Sequence, residues 1–140
     1  MTNETNTTQQ AKTAKQQRQE TKAKFPNLRT GRLFKLANYI EQLPKDKYNQ
    51  FYPGMHRHSN CGCILHYAAL SNPETKYTNA TDFMINYRES ATNWLGITKD
   101  QYIGLNYTTN WPKQFKQTQS NEYTAKVAAA RIRHMARTGE

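Results

Sequence analysis

The chain lacks most of what marks a secreted, membrane-spanning or readily classified catalytic protein. Cysteine occurs only twice in 140 residues, at Cys61 and Cys63. Two cysteines that close do not form an ordinary bridge between elements, which argues against a disulfide scaffold. The longest apolar stretch, Ile64 to Leu70, is broken by His66 and falls far short of the roughly 20 residues of a membrane span. No apolar h-region of the secretory type occurs in residues 1–25, so a reducing compartment is expected. A glycine-rich phosphate loop, a dinucleotide fingerprint and a nucleophile elbow are all missing. Acidic residues are scarce, ten in all, and scattered too widely to suggest paired carboxylates.

What is present is positive charge. Twenty Lys and Arg give a formal net charge of +10, mean hydropathy is −1.01, and hydrophobic residues make up only 36%. The charge is densest at the start. Lys12, Lys15, Arg18, Lys22, Lys24, Arg29 and Arg32 face only Glu4 and Glu20 within residues 1–32. Residues 1–24 contain no Leu, Ile, Val or aromatic side chain. Such a segment offers little apolar surface against about 1–2 kcal/mol of backbone entropy per ordered residue. It is expected to be disordered when free. Residues 11–24 are rich in good helix formers, so a partner is expected to fold them. This divides the chain into a flexible basic arm over 1–29 and a compact domain over 30–140.

The domain reads as mainly α-helical. Leu33, Leu36, Ala37, Ile40 and Leu43 recur at spacings of three and four, with Thr30 as the expected N-cap and Pro44 as the stop. A short helix is expected over about 61–70, capped by Ser59 or Asn60 and closed by Asn72-Pro73, with Cys61, Ile64, Leu65 and Ala68 inward. Phe83, Tyr87, Ala91, Trp94 and Leu95 mark a helix over 82–95 that Gly96 ends. Thr98 and Gln101 form a capping-box pattern ahead of Tyr102, Ile103 and Leu105. Val127, Ala128, Ile132, Met135 and Ala136 mark a closing helix over about 122–137, with Gly139 beyond it.

Three groups of side chains carry candidate chemistry. His56, His58, Cys61, Cys63 and His66 fall within eleven residues, and thiolates and imidazoles are the usual zinc ligands. Their spacing matches no standard finger, and buried structural roles compete, so no cofactor is expected and zinc stands as the alternative. Cys61 at a helix start, with His66 or His134 as base, is the corresponding nucleophilic arrangement. No orienting carboxylate or oxyanion device accompanies it. Tyr107, Trp111 and Phe115 stand beside Lys113 and Lys116, a combination suited either to base stacking or to anchoring a loop on the core. On the closing helix, Arg133 and Arg137 share a face, whereas Arg131 and Arg133 point about 200° apart.

Taken together, Leu43-Pro44, the aromatic linker Tyr48 to Phe51, Cys61-Gly62, Leu95-Gly96-Ile97 and Arg131-Ile132-Arg133-His134 through Thr138-Gly139 form an ordered set. Over residues 33–139 the chain resembles a family of small, mostly uncharacterised phage and bacterial proteins. The resemblance implies a small helical domain in a phage or prophage setting, and no established activity. Members of the family it resembles usually carry a second Cys where this chain has His66, and usually Thr where it has Cys63.

These readings converge on a non-enzymatic accessory protein that binds an anionic partner, with nucleic acid first. The expected contacts are Lys12, Lys15, Arg18, Lys22, Lys24, Arg29, Arg32, Arg133 and Arg137. The alternative is a protein-interaction module, acting on an acidic host or virion protein; a Cys- or zinc-dependent enzyme ranks last. No membrane partner is expected. The expected setting is the host-cell cytoplasm, with association to the virion as the alternative.

Overall fold

The computed structural model describes residues 12–48, 63–74, 80–115 and 121–140. Among the described residues it is a small single domain of six α-helices with no strand: α1 (Ala14–Lys24), α2 (Thr30–Glu41), α3 (Ile64–Ser71), α4 (Ala80–Leu95), α5 (Lys99–Asn106) and α6 (Asn121–Thr138). No helix among them is long and apolar enough to cross a membrane.

The principal pairing is α2 along α6, with α3 against α4 as the second. From α2, Leu33, Leu36, Ala37 and Ile40 are buried, as their helical spacing predicts. From α6, Ala128, Ile132, Met135 and Ala136 are buried against them. Each large aliphatic chain so placed contributes roughly 1.5–3 kcal/mol of burial. Within the second pair α3 is enclosed: its residues Ile64 to Ala69 are all buried, including His66 and Tyr67. The expected helix was one-sided; it is enclosed because α2, α4 and α5 all contact it. Cys63 takes the N-cap position of α3, so this helix starts later than the expected 61. Cys61, Ser59 and Asn60 lie outside the described residues.

Thr30 is not the cap of α2. Arg29 occupies that position and no side chain caps the helix. The Thr98–Gln101 box is present in full: Gln101 N–H donates to Thr98 Oγ1 at 3.2 Å, and Thr98 N–H donates to Gln101 Oε1 at 2.8 Å. It satisfies two of the orphan amides at the start of α5.

The ends of α4 and α6 determine how the N-terminal segment runs. Gly96 (φ 66°) and Gly139 (φ 76°) both adopt the left-handed conformation that ends a helix. Ile97 N–H donates to Thr92 carbonyl oxygen at 3.1 Å, and Gly139 N–H to Met135 oxygen at 2.7 Å. Both glycines are also crossed closely by the segment that follows α1. A Cβ at Gly96 would lie 1.8 Å from Asn27 carbonyl oxygen, and one at Gly139 would lie 2.2 Å from the Phe25 ring. Gly31 in α2, by contrast, has nothing within 4 Å of its notional Cβ.

Gly96→Ala is expected to lower unfolding free energy by at least about 2 kcal/mol, from strain at positive φ plus displacement of Asn27. Gly31→Ala is expected to stabilise by up to about 1 kcal/mol, because an open helical position gains from alanine. Urea unfolding of the two variants beside the parent protein measures both; equal effects would contradict this packing.

Candidate functional site: a basic groove beside the first helix

The site begins with a local signal. Thr13 and Gln16 form a capping box: Gln16 N–H donates to Thr13 Oγ1 at 3.1 Å, and Thr13 N–H donates to Gln16 Oε1 at 2.9 Å. The helix-forming residues that follow complete α1, which ends with Lys22 and Lys24 in its last turn. Cations there complement the negative end of the helix dipole. Residues 14–24 differ from the expected arm: they form α1 and rest on α6. Residues 1–11 lie outside the described residues.

Polar contacts dock α1. Thr21 is buried, and its hydroxyl donates to Arg137 carbonyl oxygen at 2.6 Å. Beyond α1, Phe25 packs at Gly139 and Leu28 enters the core. Arg29 N–H then donates to Leu95 carbonyl oxygen at 2.9 Å. The segment thus satisfies carbonyls left unpaired at the ends of α4 and α6. A composition argument missed this because no apolar period marks it. The Thr-x-x-Gln pattern at Thr13–Gln16 was the readable clue.

Docking leaves a groove of about 670 Å³ between α1, the start of α2 and the end of α6. Its apolar wall includes Phe25, Leu28, Phe34 and Ala136. Five cations line it: Lys15, Arg18, Lys22, Arg29 and Arg137. Among the described residues no acidic side chain lines it, and none of the five forms an ion pair. Lys15, Arg18 and Lys22 lie at helical spacings of three and four, one stripe on α1.

The other expected contacts have different fates. Lys12 pairs with Glu20 at 2.6 Å, and Lys24 with Glu140 at 3.7 Å. Such exposed pairs contribute at most about 1 kcal/mol, so they balance charge locally without locking it. Arg133 lies elsewhere: its guanidinium binds Glu41 and also donates to Asn38 Oδ1 at 2.8 Å, tying α6 to α2. It does not line the groove with Arg137. Arg32 is also engaged outside the groove. It lies 3.7 Å over the Trp94 ring and donates to Trp94 carbonyl oxygen at 2.7 Å, so it caps α4.

The aromatic set does not form one stacking surface. Trp111 is buried and its indole N–H donates to Leu105 carbonyl oxygen at 3.1 Å, which makes it a core anchor. Phe115 is half-buried, 5.3 Å from the His134 ring, while Tyr107 is exposed. Of the zinc candidates, Cys63 and His66 are both buried on or at α3. His56, His58 and Cys61 lie outside the described residues. Among the described residues no three His, Cys, Asp or Glu side chains gather to hold a metal.

Arg131 is the reverse of a surface cation. It is 1% exposed, donating to the carbonyl oxygens of Gly104 at 3.2 Å and Glu140 at 2.6 Å. Burial pushes its pKa down to about 10, which leaves it charged at neutral pH. Arg131 faces inward and Arg133 faces α2, as two positions on a helix require. No family model, curated protein or solved structure matches the chain.

His134 sits between these charges. Desolvation, then the positive charges of Arg131 and Arg137, lower its pKa, with Glu140 opposing. A histidine whose pKa is lowered in the folded state is neutral there while the unfolded chain takes up a proton. Its contribution is therefore absent above the unfolded value near 6.5 and destabilising below it. His134→Gln is expected to lessen the loss of stability as pH falls through about 6.5 and below. Urea unfolding of both proteins across that range measures this; parallel pH profiles would contradict it.

Proposed function

We propose that this protein is a non-enzymatic accessory protein that binds nucleic acid through the groove beside α1. The observation carrying this reading is the sorting of cations. Among the described residues, Lys15, Arg18, Lys22, Arg29 and Arg137 line one groove with no carboxylate beside them, whereas Lys12, Lys24 and Arg133 are ion-paired elsewhere. A formal charge of +10 draws a polyanion in, and the groove gives it a place to settle. Phosphate contacts of this type carry no sequence information, so weak sequence preference follows.

A phage or prophage setting rests on the resemblance alone. An acidic host or virion protein is the second reading, favoured by the apolar wall at Phe25, Leu28 and Phe34, since arginine and aromatic residues recur at protein interfaces.

The test is fluorescence anisotropy with a labelled oligonucleotide over a salt series. Lys15→Gln, Arg18→Gln and Lys22→Gln are combined in one variant; all three side chains are exposed. Each phosphate contact removed is expected to flatten the slope of log affinity against log salt by about 0.7–0.9. The triple variant is thus expected to lose about 2.1–2.7 units of slope together with affinity. Unchanged affinity and slope would overturn the proposal.

A further inference from the structure

We infer that the groove takes single-stranded nucleic acid, with an unpaired base placed against Phe34 and the backbone following the α1 cations. This rests on the nucleic-acid reading and goes further by naming the form bound. Phe34 is 36% exposed although its helix neighbours Leu33, Leu36 and Ala37 are buried. It lies off the core face of α2 and walls the groove. The core does not account for an aromatic there.

Three features converge on a strand with free bases. The groove is concave and about 670 Å³, within the range of roughly 300–1,000 Å³ that accepts a small planar group. Its lining includes Phe25, Phe34 and Leu28, and among the described residues its polar lining consists of cations and neutral groups. Lys15, Arg18 and Lys22 span about 10 Å along α1 at 1.5 Å per residue, enough to follow more than one backbone phosphate. A duplex presents its phosphates to such a rim but keeps its bases paired and stacked. Reaching Phe34 would then require unstacking at a few kcal/mol. An unpaired strand meets both halves of the site at once, since aromatic faces stack on any base.

The test compares three labelled probes of equal length by anisotropy: an oligothymidylate strand, the same backbone with abasic sites, and a duplex. The parent protein, Phe34→Ala and Phe34→Trp are measured, with circular dichroism confirming the helical fold of each. The single strand is expected to bind the parent roughly tenfold tighter than the abasic strand. Phe34→Ala is expected to lose about that factor while its salt slope stays unchanged, and Phe34→Trp to retain affinity. Equal binding of oligothymidylate and abasic strands, or no effect of Phe34→Ala, would overturn base insertion and leave the nucleic-acid reading standing. Preferential binding of the duplex would do the same. Failure of every nucleic acid, with capture of an acidic aromatic peptide instead, would overturn both.

Discussion

The carbonyl groups at the ends of α4 and α6 are the constraint on which the rest depends. A helix leaves its last carbonyls without internal partners, and a buried one without a donor is costly. Here the donors come from elsewhere in the chain. Arg32 and the Arg29 amide serve Trp94 and Leu95 at the end of α4. Thr21 serves Arg137, and Gln101 Nε2 donates to Gly139 oxygen at 2.9 Å, at the end of α6. Arg131 completes the arrangement by binding Gly104 and Glu140. Two glycines with positive φ end the helices and let the crossing segment pass.

That constraint converts a basic stretch into a surface with shape. With Thr21 and Phe25 seated, the Lys15, Arg18 and Lys22 stripe lines one groove together with Arg29, Phe34 and Arg137. Cations spaced along the sequence become neighbours, and the cost of holding α1 in place is met before a partner arrives. A pre-formed site loses less entropy on binding than a segment that must first fold. The same seating separates structural arginines from available ones. Arg32, Arg131 and Arg133 hold helices together, whereas Arg29 and Arg137 face the groove.

Much of the fold was legible because the signals were local. The four apolar positions of α2, the Thr98–Gln101 box and the glycines after α4 and α6 each depend on residues within a turn or two. α1 was misjudged because its attachment uses one hydroxyl and backbone carbonyls, which leave no apolar stripe. The capping pattern at Thr13–Gln16 was readable but passed over by a reading from composition. Of the expected anion contacts, Lys15, Arg18, Lys22, Arg29 and Arg137 meet in the groove. Arg32 and Arg133 were indistinguishable from them in sequence, since only tertiary packing supplies Trp94 and Glu41. Trp111 was equally open until Leu105 appeared as its acceptor. The place of Phe34 in the groove was not anticipated, although an aromatic residue off the apolar face of an amphipathic helix was itself a signal.

The central claim is that α1 belongs to the folded domain before any partner binds. Native-state hydrogen exchange of the α1 backbone amides in the free protein tests it most directly. Docking through Thr21 and Phe25 predicts measurable protection of the amides from Arg18 to Lys24, whose helical bonds open only when α1 detaches or unravels. Exchange of those amides at the rate of an unstructured peptide would contradict the account and return α1 to the status of a free basic arm.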